Sequence, residues 1–142
     1  MKKILTIFIF LLICLSSHAI ENNFFDEAKK LYDNEKFEES KFLFQRNIVY
    51  NPKDAKSYLY LAKIYKKEEN KSEEEKNINT TLLLEPRNEE AMFILIDIEI
   101  KRSNFSKAKE LKTNFEKICS SLCEEISSID NRLKEFEKKG AS

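Results

Sequence analysis

The chain has no tryptophan, one histidine, one glycine and two prolines in 142 residues, and each scarcity removes a class of fold or function. The single histidine, His18, lies in an N-terminal segment expected to be removed, so the mature chain cannot assemble a Ser–His–Asp or Cys–His nucleophile. The lone glycine, Gly140, sits at the far end, and no glycine-rich loop is available to cradle a phosphate. Two thiols without histidine fall short of the four ligands of a structural zinc site. No cofactor or metal is expected, and no enzyme chemistry. Carboxylate runs such as Glu73-Glu74-Glu75 read as solvated helix surface. Charge of one sign is lacking too: 25 Lys and Arg balance 25 Asp and Glu. Without a basic excess, nothing drives nucleic-acid binding.

Residues 1–19 carry the layout of an export signal. Lys2 and Lys3 form a basic start, Ile4 to Leu15 is an apolar run, and Ser17-His18-Ala19 places small residues for cleavage after Ala19. The run is shorter than the ~20 residues needed to span a bilayer, so a retained anchor is the weaker reading. Lipid attachment at Cys14 is disfavoured by Ile13, since a small residue is wanted before a lipidated cysteine. The expected location is periplasmic or secreted, with no integral span after removal of the signal. Loss of Lys2 and Lys3 leaves 25 − 2 = 23 basic residues against 25 acidic ones, a net charge of −2.

What the remainder has in quantity is Lys, Glu, Leu and Ile, the composition of an all-helical chain. It also has a period. Pro52 and Pro86 are 34 residues apart, as are Phe24, Tyr58 and Met92, and Ala28 and Ala62. Three units follow, 21–54, 55–88 and 89–122, each reading as two amphipathic helices. Asp54 and Asn88 follow the helix-stopping prolines and read as N-caps. Ser72 with Glu75 reads as a capping box for the second helix of the middle unit. Asn34, Asn70 and Asn104 flank the turns inside the units and are expected to supply the left-handed conformation there. Beyond them, Leu122, Ile126, Ile129, Leu133 and Phe136 recur at spacings of 4, 3, 4 and 3, which predicts a capping helix over 123–138 and a short tail, 139–142.

Phe24, Ala28, Leu31, Phe44 and Pro52 in the first unit, and Tyr58, Leu61, Ala62, Tyr65 and Pro86 in the second, resemble the tetratricopeptide repeat. The third unit diverges: Ile96 stands at the small-residue position, Lys112 replaces a large apolar residue, and no proline closes it. The resemblance implies an all-α, right-handed superhelical solenoid of three helix pairs plus a cap. It also implies a concave groove lined by the first helix of each unit. Those positions are Asn22, Phe25, Lys29, Tyr32 and Asp33; then Lys56, Leu59, Lys63, Lys66 and Lys67; then Glu90, Phe93, Asp97, Ile100 and Lys101. The lysines beside Phe25, Leu59 and Phe93 predict a positive, partly apolar floor suited to an acidic peptide. The asparagines of the clamp that some relatives use for chaperone C-termini do not match.

Cys119 and Cys123 are the only thiols left after export. Their separation reads as a structural staple in an oxidising space, with free thiols or a redox pair as alternatives. The function expected from these readings is non-catalytic binding of a protein segment in the groove, as an adaptor or assembly factor of the cell envelope. The alternatives are a structural subunit docking through its convex face or C-terminal helix, and a thiol–disulfide helper using Cys119 and Cys123.

Overall fold

The computed structural model describes residues 23–140, with side chains described for 23–135. The export segment, Cys14 and Asn22 therefore lie outside the described residues, as do the side chain of Phe136 and the last two positions. Seven helices and no strands make up the described part: α1 (Phe24–Asp33), α2 (Phe37–Tyr50), α3 (Ala55–Lys67), α4 (Lys71–Leu84), α5 (Glu89–Lys101), α6 (Phe105–Ile118) and α7 (Glu125–Gly140). None of them is long and apolar enough to cross a membrane.

The turn inside each unit has one geometry, repeated three times. Glu35, Glu69 and Ser103 stand at φ of 60°, 58° and 60°. Around each, the amide of the next residue donates five back, Lys36 to Leu31, Asn70 to Tyr65 and Asn104 to Glu99, at 2.9 Å in every case. The left-handed residue itself donates three back, Glu35 to Tyr32, Glu69 to Lys66 and Ser103 to Ile100. This is a Schellman ending, in which the left-handed residue closes the last carbonyls of the helix. The expectation that the asparagines would take that conformation is corrected: Asn34 has φ −93° and ends α1, while Asn70 and Asn104 begin the next helices with φ −83° and −86°.

Capping needs a second correction. Helix α4 starts at Lys71, and its cap is Asn70, whose side chain accepts from the Glu73 amide. Ser72 is already inside the helix, and Glu75 is held by Arg102 instead. Asn88 caps α5 as expected, accepting from the Ala91 amide at 3.0 Å. Asp54 holds the corresponding place before α3 but caps nothing with its side chain. Its carboxylate accepts from Asn47 and Ser57, 2.7 Å from each, in a buried polar cluster between the first two units.

Each helix packs on the next in sequence, α1 on α2 through to α6, and α7 lies against α5 and α6. Small residues let the helices approach: Ala28, Ala62 and Ala108 are fully or almost fully buried. Ile96, larger, stands at the position of Ala28 and Ala62 in the third unit and is itself fully buried. One core cluster joins α3 to α7 through Leu59, Ile78, Leu95, Ile100 and Phe115. A smaller one holds Ala28, Phe44, Leu61 and Ile64. Helix α7 contributes Ile129 and Leu133 to the larger cluster, both buried, with Leu122 and Ile126 packed beside them. The described residues of its apolar face thus pack against the end of the solenoid. The fold is an all-α helical-repeat solenoid.

Candidate functional site

A wide cleft sits where α3 and α5 begin and where the chain passes from α6 to α7. It has a volume of about 1040 Å³. Leu59, Phe93 and Leu122 give it an apolar floor, and Lys56, Arg87, Glu85, Glu90 and Glu125 are among the charged groups around it. The Pro86-Arg87-Asn88 turn between units lines one part of it, and Ser121, Leu122 and Glu125 form another wall. Lys56, Leu59, Glu90 and Phe93 are the residues of the expected groove that meet here.

The others go elsewhere. Phe25 and Tyr32 join an aromatic cluster in the first unit: Phe25 packs on Phe44 at 5.6 Å and on Tyr60 at 5.9 Å, and Tyr32 meets Tyr60 edge-on at 5.0 Å. Burial raises the Tyr32 phenol pKa, and the neighbouring Tyr60 adds to it. Ile100 is fully buried in the core and lines neither this cleft nor the one at the far ends of α3 and α5. Lys66 and Lys101 border a second, more charged cleft of about 640 Å³ between the far ends of α3 and α5.

Most of the expected positive floor is paired within the chain. Lys29 pairs with Asp33 at 2.6 Å along its own helix. Lys63 reaches across to Glu90 at 2.6 Å, with its ammonium 4.7 Å above the Tyr60 ring. Lys66 lies 3.7 Å from Asp97. Lys67 sits over the Phe37 ring at 4.7 Å. Lys56 alone among these lysines is exposed without an ion pair or ring contact among the described residues. The carboxylates that cancel the lysines, Asp33, Glu90 and Asp97, occupy groove positions themselves. Counting lysines within one unit misses them, because two of the three partners come from the next unit.

Asp97 is a structural anchor. Burial pushes its carboxyl up, but Lys101 at 2.7 Å, Arg132 of α7 and Lys66 outweigh that and hold it below the usual aspartate range. Three cations around one carboxylate with 13% of its side chain exposed leave little for a ligand.

The wall formed by Ser121 and Leu122 depends on Glu89. Its carboxylate accepts from the Ser120 amide at 2.9 Å and hydroxyl at 2.6 Å, from the Ser121 amide and hydroxyl at 3.0 and 3.1 Å, and from the Leu122 amide at 3.0 Å. The Ser120 hydroxyl and amide are the main reason its pKa falls to about 2, with the Ser121 and Leu122 amides adding to them. Cys119 and Cys123 flank this segment and are joined by a disulfide with Cα atoms 5.3 Å apart. No short motif marks Glu89, since its partners are 31 to 33 residues away.

No family model and no curated protein sequence matches the chain. Solved structures do. The TPR2B domain of yeast Sti1, in a complex with pHsp70, superposes with a TM-score of 0.71 at 16% identity, covering 80% of this chain and 94% of that one. The type III secretion translocator chaperone SycD of Yersinia enterocolitica, in complex with a peptide of the translocator YopD, gives 0.70 at 14%, covering 89% and 98%. The first TPR domain of Spaghetti (RPAP3), bound to an HSP90 peptide, gives 0.66 at 14%, covering 82% and 90%. At these identities the likeness concerns the fold, which is that of a tetratricopeptide solenoid.

Proposed function

We propose that this protein is a non-catalytic interaction module that receives a segment of a partner protein in the cleft between α3, α5 and the Ser121–Glu125 wall. The observation that carries this is the cleft itself. It is large enough for several side chains, floored by Leu59, Phe93 and Leu122, and edged by polar groups that can orient a chain. The structures it resembles include two with peptides of other proteins and one in a pHsp70 complex, which supports the same use of the fold here. Affinity comes from the apolar floor. The acidic-peptide preference expected from the lysines is weakened, because Lys29, Lys63 and Lys66 are paired within the chain and Lys56 is the lysine left open at the cleft.

The export layout of residues 1–19 supports work as an adaptor or assembly factor in the cell envelope. N-terminal sequencing of the protein from its native host tests that part: a chain beginning at Ile20 agrees with it, and a retained Met1 opposes it. The binding reading is tested by crosslinked capture from the native fraction with wild type and Phe93→Ala side by side. Phe93 is only partly buried, so the variant is expected to keep its helical circular dichroism and lose the captured protein. Equal capture by both would remove the cleft as the binding site.

A further inference from the structure

The short segment between α6 and α7 is held in two ways at once. The Cys119–Cys123 disulfide closes it into a ring containing Ser120, Ser121 and Leu122. Within that ring three successive amides and two hydroxyls all point at one carboxylate, that of Glu89. Successive amides converging on an anion form a nest, a geometry a free chain reaches only at a cost in conformational entropy. Ring closure lowers that cost by narrowing what the loop can do before it meets Glu89. Ser121 and Leu122 of that ring, with Glu89 and Glu125, line the cleft.

We propose that the Cys119–Cys123 disulfide is a redox-controlled latch on the cleft wall, set in the oxidised form and released by a dithiol reductant. The inference rests on the cleft being the binding site. Cys123 is exposed and Cys119 is half-buried, so the sulfur open to attack is that of Cys123. A thiolate of the reductant bonds to the Cys123 Sγ, the Cys119–Cys123 bond breaks, and Cys119 leaves as a thiolate. The second thiol of the reductant then displaces Cys123, forming the reductant's own disulfide. Two electrons and two protons have passed to the protein, which now holds two thiols. The Cys119 Sγ lies 3.9 Å from the Glu116 carbonyl oxygen, an acceptor for the new thiol.

Release frees the wall without freeing α7. That helix keeps its own anchors: Lys112 to Asp130 at 2.6 Å, Arg132 to Asp97, and Ile129 and Leu133 in the core. The change is therefore local. Ser120 to Leu122 gain freedom, Glu89 loses its fixed donors, and the wall beside Phe93 and Leu59 becomes mobile.

Amide hydrogen exchange on the whole exported chain tests this, comparing the oxidised protein, the same protein under a phosphine reductant, and Cys119→Ser/Cys123→Ser. The amides of Ser120, Ser121 and Leu122 are expected to exchange about tenfold faster in both reduced forms, with Ala62 and Ile96 unchanged within about twofold. Unchanged exchange at Ser120–Leu122 would overturn the latch. Acceleration spread through α3 and α5 would overturn it as well, showing that the bond staples the entire fold. Because exchange is read without a partner, failure of the cleft as a binding site in the capture experiment is a separate result.

Discussion

At the scale of single residues, the turns inside the units carry a cost that the sequence conceals. Glu35, Glu69 and Ser103 hold left-handed backbone that glycine adopts freely and a residue with a β-carbon does not. Glu69→Gly is expected to raise stability by about 0.5–1 kcal/mol after the extra freedom of glycine in the unfolded chain is deducted. A higher denaturation midpoint at unchanged m-value would show it, and an unchanged or lower midpoint would count against it. That these turns exist was legible from the period. Which residue turns left-handed was not, because Asn34, Asn70 and Asn104 tolerate that conformation well and the helix phase alone decides. Glu89 offers a second residue-scale test. Its folded pKa, about 2, lies below that of an unfolded glutamate, so its contribution is complete above about pH 4.3 and is lost as pH falls through about 2. The gap in melting temperature between wild type and Glu89→Gln is therefore expected to be widest at neutral pH and to close between those values. A gap that stays constant down to pH 2 would contradict the Glu89 cage.

At the scale of helices, the joints between units use one bridge with its charges exchanged. Lys41 of α2 meets Glu68 at the end of α3, at 2.6 Å. One period on, Glu75 of α4 meets Arg102 at the end of α5, bidentate at 2.6 and 2.5 Å. The arithmetic is 75 − 41 = 34 and 102 − 68 = 34, so equivalent positions carry opposite signs. A slipped arrangement bringing α2 to the third unit would set Lys41 against Arg102, so the exchange favours the observed order of units. Glu75→Lys is expected to cost about 0.5–1 kcal/mol, and adding Arg102→Glu to recover most of it. A double variant no more stable than the single one would show that the bridge contributes nothing. The capping helix was legible in the 4-3-4-3 spacing, and Leu133 is almost fully buried as that spacing implies. Leu133→Ala is expected to cost about 2–4 kcal/mol by chemical denaturation, and a loss under 1 kcal/mol would mean that α7 is loosely seated. The Arg132–Asp97 pair was not legible, since no local pattern says which acid a helix packed across two others will reach.

At the scale of the whole molecule, the period and the apolar spacings were enough for an all-α solenoid, because stacked helices need only register and a matching face. The site was legible in part. Lys56, Leu59 and Phe93 meet in the cleft, whereas Phe25 and Tyr32 belong to an aromatic cluster at the other end. Charge was the harder quantity to read, because a lysine's partner lies in the next unit and appears only when the units stack. With Lys63 and Lys66 paired in this way, the proposed recognition at the cleft rests mainly on shape and on Leu59, Phe93 and Leu122. The most direct measurement replaces Phe93 in one variant, and Val49 on the outer face of α2 in another, with a photoreactive phenylalanine analogue. Val49 is 78% exposed and supplies the control. Irradiation in the native fraction is predicted to give a covalent partner adduct from position 93 and none from position 49. An adduct from position 49 with none from position 93 would contradict the central claim and move the binding surface to the outside of the solenoid.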